Sequence, residues 1–259
     1  MIRLEGVSFS YWDKQVLKNV SFEVADSEMV VVMGPSGSGK STVLRMILGL
    51  ECPSEGKVLI DGQNICAMKE RDKREIRKRI GMVFQDGALF DSLTVGENVG
   101  YYLLEHTGLS WSEIAGRAEE MLGFVGLNPD EVGDMLPEEL SGGMRRRVAI
   151  GRALLSTNPN AMLYDEPTTG LDPMATQNVL NLITKLHQEK GIASVIVTHQ
   201  IADALEIADR FVVIHSGEVV FDGSLDELRS SQEPRVVDFL QPFRESAERV
   251  QAKHFINNR

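Results

Sequence analysis

The chain has 259 residues, 42 % of them hydrophobic and 25 % charged, and carries a formal net charge of −11. That balance suits a folded protein large enough to bury about three quarters of its unfolded surface, so no metal or disulfide staple is required. The acidic excess argues against general nucleic-acid binding, which rewards Lys and Arg through counterion release, and no apolar run approaches the ~20 residues of a membrane span.

Met1-Ile2-Arg3-Leu4 leads directly into alternating residues, with no basic-then-apolar leader. Any membrane role is therefore expected to run through a partner. The two cysteines, Cys52 and Cys66, make no C-x-x-C motif and are expected to be reduced thiols of a cytosolic protein.

In chain order, Ile2–Phe9 and Val16–Val24 alternate apolar with polar and predict an antiparallel flank. Met29–Met33 is continuously apolar, as are Gly81–Phe84, Ala161–Tyr164, Ser194–Val197 and Phe211–Ile214. Strands buried on both faces need that pattern. Helices are predicted between them at Lys40–Leu48, Asp72–Arg79 and Met174–Lys190, and a hairpin turn at Ser216-Gly217. Alternation of this kind predicts an α/β fold: a mainly parallel sheet covered by helices, with the antiparallel flank beside it.

The middle reads differently. Val95–His106, Trp111–Val125 and Ser141–Leu155 are helical in pattern and no strand-like run separates them. The expected organisation is an α/β core over 1–88 and 159–231, an inserted helical subdomain over 89–158, and a tail over 232–259. Val236, Val237, Phe239, Leu240 and Phe243 in that tail are expected to pack on a neighbouring subunit, the alternative being their own chain. The basic stretch Lys69–Arg79 is interleaved with Glu70, Asp72 and Glu75 and reads as a solvated helix face.

Gly34-Pro35-Ser36-Gly37-Ser38-Gly39-Lys40-Ser41 fits G-x-x-x-x-G-K-[ST] between a buried strand and a helix. The glycines allow successive N–H groups to turn around phosphate oxygens, and the helix beginning at Lys40 aims its positive end at the same anion. Lys40 is expected on the β and γ phosphates of ATP, and the Ser41 hydroxyl, next to Thr42, on Mg²⁺. The strand Ala161–Tyr164 ends in Asp165-Glu166, where ligands of parallel sheets bind. Asp165 is the expected metal carboxylate and Glu166 the group that orients attacking water. Ser141-Gly142-Gly143 opens a helix, Gln85 follows one strand and His199 another. Taken singly, these read equally well as a cap, a hinge amide and a core or surface imidazole.

Together and in this order the segments resemble the ATP-binding-cassette (ABC) ATPase family, over roughly Met1 to Ser230. The resemblance implies a P-loop NTPase of RecA-like fold that hydrolyses ATP with Mg²⁺. It implies an aromatic stacked on adenine, at Tyr11 with Trp12 as competitor, and catalytic roles for Lys40, Gln85, Glu166 and His199, Gln85 also serving the metal. It further implies a head-to-tail dimer of two copies, in which Ser141, Gly142 and Gly143 contact the nucleotide of the opposite chain and Asp172 communicates across the interface. The run Phe84–Val95 with Glu97-Asn98-Val99, the signature Leu140-Ser141-Gly142-Gly143-Met144, and Glu233-Pro234-Arg235-Val236 are similar to the ATPases of Mla/Mce-type lipid transporters. Asp86 departs from that pattern, and the residues after Leu240 do not match it. The implied partners are an integral membrane permease, with accessory and lipid-binding subunits, and the implied place is the cytoplasmic face of the cell membrane. A polar-solute importer ATPase and a permease-free cytosolic scaffold are the rival readings.

Overall fold

The computed structural model describes residues 1–157 and 159–243. Strands β1 (Ile2–Tyr11) and β2 (Lys14–Val24) form a hairpin, with Tyr11 opposite Lys14. Next come β3 (Met29–Met33), α1 (Lys40–Ile47), β4 (Glu55–Ile60), β5 (Gln63–Asn64), α2 (Glu70–Arg77) and β6 (Ile80–Val83). Four helices follow without an intervening strand: α3 (Val95–His106), α4 (Trp111–Phe124), α5 (Pro129–Val132) and α6 (Gly142–Thr157). The chain then resumes alternation with β7 (Ala161–Asp165), α7 (Pro173–Lys190), β8 (Ala193–Thr198), α8 (Ile201–Ile207), β9 (Arg210–His215), β10 (Glu218–Gly223) and α9 (Leu225–Ser230). A last helix, α10, covers 234–243.

Six strands form one sheet in the order β10-β9-β3-β8-β7-β6, parallel except for β10. The other four form an antiparallel sheet, β2-β1-β4-β5. The fold is thus α/β, with the flank enlarged by β4, whose apolar stretch is only Val58-Leu59-Ile60, and by the two-residue polar β5. The uninterrupted apolar strands now have a cause. Met29, Val31 and Met33 enter one core with α6 and α7, while Val30 and Val32 enter a second beneath α1 and the antiparallel sheet. Phe211 and Val213 divide from Val212 and Ile214 in the same way. Successive side chains on a strand face opposite ways, so a strand between two cores must be apolar throughout.

The starts of α3 and α4 are set locally. Thr94 Oγ1 accepts the Glu97 N–H at 3.2 Å and Glu97 accepts that of Thr94 at 2.8 Å, a reciprocal cap repeated at Ser110 and Glu113. On α2 only Ile76 is buried, consistent with the solvated face expected there. No helix among the described residues is long and apolar enough to cross a membrane.

Two expectations are corrected. Val236 and Leu240 of α10 lie in the chain's own core with Phe239 packed against it, because a helical spacing of four sets them on one face. Their burial needs no neighbour; the remaining tail call, 244–259, lies outside the described residues. Cys52 and Cys66 are joined as a disulfide rather than free. The β4–β5 turn brings Cys66 back to the segment after α1, with a Cα–Cα distance of 5.6 Å, within bridging range. Such a bond is unusual in a reducing compartment, so stability should depend on redox conditions. Reduction, or Cys66→Ser, is expected to cost about 3 kcal/mol, the chain-entropy value for a loop of this size. Thermal unfolding with and without reductant checks this; equal melting in both would show that the bond contributes nothing.

Candidate active site

Because β3, β6, β7 and β8 run parallel, their C-terminal ends share one edge of the sheet, with Met33 beside Thr198, Val83 beside Tyr164 and Asp165 beside Val197. At that edge lie the phosphate-loop segment after β3, Gln85 after β6, Asp165-Glu166 on β7 and His199 after β8. An open hollow of ≈ 280 Å³ is lined by Ser36, Gly37, Gly39, Lys40, Ser41, Thr42, Gln85 and Glu166, with Val16 at its rim. Most of the predicted phosphate residues are therefore brought together with the predicted water-orienting carboxylate.

The loop is shaped by contacts that only glycine permits. Gly39 has φ 104°, and a Cβ there would meet Leu17 Cδ2 at 2.6 Å and the Val16 carbonyl at 3.0 Å. As the cap of α1 it supplies no side-chain hydrogen bond, which leaves the first helical N–H groups as donors for an anion. Lys40 is buried, and its Nζ donates to the carbonyls of Gly34 at 2.9 Å and Pro35 at 3.0 Å. Burial pushes its ammonium below the ordinary lysine value, against the pull of the Glu166 and Asp165 charges. The Ser38 N–H closes the loop onto the Pro35 carbonyl at 3.2 Å, while the buried Ser38 hydroxyl has no partner among the described residues. An uncapped helix start, a desolvated cation and an orphaned hydroxyl fit a polyphosphate.

Ser41 donates to Asp165 Oδ1 at 2.9 Å. Burial raises the Asp165 pKa; the Ser41 hydrogen bond opposes this, the Glu166 charge adds to it, and Arg45 and Lys40 pull the other way. A hydroxyl and a carboxylate side by side fit Mg²⁺, a hard cation. No cluster of three or more His, Cys, Asp or Glu suited to a metal occurs among the described residues.

Glu166 is buried in a left-handed backbone conformation, φ 49°, its N–H held by the Val197 carbonyl at 2.8 Å. Its Oε1 lies 2.9 Å from His199 Nδ1, so the carboxylate and the imidazole form a pair. Tyr11 is not in the hollow. Its ring stands edge-on to Phe9 with centroids 4.7 Å apart, and its hydroxyl lies 3.3 Å from Glu51 Oε1 and 3.4 Å from Arg45 Nη1. Trp12 next to it, at the hairpin turn, is 98 % exposed.

Ser141 and Gly143 do not line the phosphate hollow either. Gly142 lines a second one of ≈ 480 Å³ with Asp86, Arg145, Arg146 and Thr169. Ser141 accepts the Met144 N–H at 3.3 Å as a helix cap, and Asp172 caps α7 through the N–H groups of Met174 and Ala175 at 3.0 and 2.9 Å. Arg146 was not singled out in the sequence. It is buried and donates to the Pro167 carbonyl at 3.0 Å, that of Phe84 at 3.2 Å and that of Thr169 at 3.4 Å. The available signal is helical periodicity, which turns Arg145 and Arg147 toward other partners, the Leu140 and Gly126 carbonyls.

A family model described as ABC transporter matches residues 17–169. The chain is 38 % identical over 240 residues to the intermembrane phospholipid transport system ATP-binding protein MlaF of Haemophilus influenzae, covering 93 % of this chain and 90 % of that one. It is 44 % identical over 220 residues to the methionine import ATP-binding protein MetN of Corynebacterium efficiens, covering 85 % of this chain and 60 % of that one. The dimeric structure of a post-hydrolysis state of the ATP-binding cassette MJ0796, bound to ADP and Pi, superposes with a TM-score of 0.79 at 37 % identity, over 87 % of this chain and 99 % of that one. With the phosphate loop, the acidic pair and the imidazole gathered at one sheet edge, the chain belongs to the ABC transporter family as an ATP-hydrolysing cassette.

Proposed function

We propose that the chain powers phospholipid transport by a separate membrane permease, working as a head-to-tail pair of copies on the cytoplasmic face of the membrane. The observation that carries the cargo assignment is the reach of the resemblance. The match covers 93 % of this chain and 90 % of the phospholipid-transport relative's own length, against 60 % of the length of the methionine-import relative. The higher identity of the latter, 44 %, is what favours the second reading, a polar-solute importer. The solved cassette's dimeric state supports the pairing, as does the separation of Ser141–Gly143 from the chain's own phosphate hollow.

In this reading Lys40, the Gly34–Thr42 loop and the α1 N–H groups hold the β and γ phosphates of ATP, with Tyr11 against adenine. Ser41, Asp165 and Gln85 would hold Mg²⁺, which neutralises charge on the phosphates when bound. Glu166 orients the water that attacks the γ phosphorus, and His199, paired to Glu166 Oε1, holds that carboxylate. The helical layer over 89–158 presents the signature to the partner copy's nucleotide.

The test is purification of the tagged chain from membranes. An integral membrane protein carrying bound phospholipid is expected, with hydrolysis by the complex in lipid nanodiscs rising as phospholipid is supplied. Stimulation by an amino acid in place of phospholipid would move the assignment to the second reading. Recovery without any membrane protein would favour the scaffold.

A further inference from the structure

Every hydrogen bond given to the Glu166 carboxylate falls unevenly on its two oxygens. Oε2 accepts from Thr169 Oγ1 at 2.9 Å, Thr198 Oγ1 at 3.3 Å and the His199 N–H at 3.4 Å. Oε1 has one partner, His199 Nδ1 at 2.9 Å. An ionised carboxylate only accepts, and each oxygen offers about two good lone-pair directions. Oε2 is therefore saturated, while Oε1 retains room for one more hydrogen.

The three donors on Oε2 are not equivalent. The His199 N–H is the longest contact, and Thr198 Oγ1 is shared, since it also accepts the Gln200 N–H at 2.9 Å. Thr169 makes the shortest contact, and the backbone aims it. Its N–H reaches the Glu166 carbonyl at 3.3 Å in a tight turn, and its own carbonyl accepts from Arg146. The hydroxyl that points at Oε2 is thus fixed from both sides.

We infer that Thr169 is a positioning residue for hydrolysis: its hydroxyl pins Oε2 of Glu166, so that Oε1, beside His199, is the oxygen presented to the attacking water. This rests on the reading of Glu166 as the water-orienting carboxylate. A threonine three residues past an acid is otherwise an ordinary turn residue, and nothing in the sequence marks it. Without the pin, the carboxylate can turn about its last torsion, which is broad for a terminal sp³–sp² bond. Misplacement of a reacting group by about 1 Å costs on the order of 10²-fold in rate.

The experiment compares Thr169→Val, which keeps the shape and removes the hydroxyl, with Thr169→Ser, which keeps the hydroxyl. Glu166→Gln runs beside them, all in the full-length chain. For Thr169→Val, kcat for ATP hydrolysis is expected to fall roughly 10- to 100-fold while KM stays within about twofold, because binding does not use this bond. Thr169→Ser is expected to retain most of the wild-type kcat. Nucleotide binding and thermal unfolding report folding, and Thr169→Ala is the second hydroxyl-free variant should the valine be poorly accommodated. Wild-type kcat in Thr169→Val or Thr169→Ala, with Glu166→Gln inactive, overturns the inference alone. Equal loss in Thr169→Ser and Thr169→Val also overturns it, since packing would then be the cause. Full activity in Glu166→Gln instead defeats the underlying assignment of Glu166.

Discussion

Replacing Lys40 by alanine is expected to abolish ATP hydrolysis while leaving the chain folded. The side chain is buried and, among the described residues, its ammonium is hydrogen-bonded to two carbonyls of its own loop, Gly34 and Pro35. Burial depresses its pKa, and a cation so short of water gains most from an incoming phosphate. Removing one preorganised group that stabilises developing charge costs about 10²–10³-fold in rate. Loss of the nucleotide's principal counter-charge adds weaker binding to that. Alanine is the best helix former, so α1 should persist, and circular dichroism with thermal unfolding verifies it. The readout is phosphate release at saturating ATP, and a near wild-type rate would overturn the assignment of the loop. The same variant tests the pairing of copies. Lys40→Ala and Ser141→Arg chains each spoil one half of a composite site; in a mixed dimer both lesions fall on one site and the other is whole. Mixing is expected to restore activity that neither variant shows alone, and verified heterodimers without recovery would place the signature's action within its own chain.

Glu166→Gln separates binding from chemistry. Lys40, Ser41 and the α1 N–H groups are untouched, so Mg·ATP binding should survive, while hydrolysis slows by roughly 10²–10⁴-fold, the usual contribution of a positioned acid–base group. The environment makes this near-isosteric change severe. Both oxygens of Glu166 accept hydrogen bonds, from Thr169 on one and His199 on the other. A carboxamide has one accepting oxygen, so one of these two partners loses its acceptor and must reverse its role. ATP-bound copies should therefore accumulate as dimers, visible by light scattering alongside a nucleotide titration. Failure to bind ATP would mean that Glu166 holds the fold of the site rather than the water.

The parts of this site that were legible in the sequence are those whose chemistry is contiguous. Gly34–Ser41 and Asp165-Glu166 are marked as motifs by neighbours in the chain, and parallel strands then carry the two segments to one edge. The apolar runs at Met29–Met33 and Phe211–Ile214 were equally legible, since burial on two faces leaves a one-dimensional trace. What was not legible depends on distant segments meeting. Cys52 and Cys66 pair because the β4–β5 turn returns the chain, and the strand signal there is only Val58-Leu59-Ile60 followed by two polar residues. Val236 and Leu240 look exposed until α10 is seated on the core. Arg146 differs from its arginine neighbours only by its angle around α6. Tyr11 and Trp12 share a hairpin end, and only the fold shows one tethered by its hydroxyl and the other almost wholly in water.

Arg146 has a mechanical consequence. Its planar guanidinium grips carbonyls of two separate loops, Phe84 before Gln85 and both Pro167 and Thr169 after Glu166, while its stem belongs to the helix that begins at the signature. A fork of fixed shape cannot lengthen one arm independently of the others. The two loops and the helix are therefore tied through one side chain, as three spokes share a hub. Displacing the helix alone would strain the bonds to the Phe84 and Thr169 carbonyls at once. Lysine at this position would keep the charge but lose the rigid fork, and the three parts could then drift out of step.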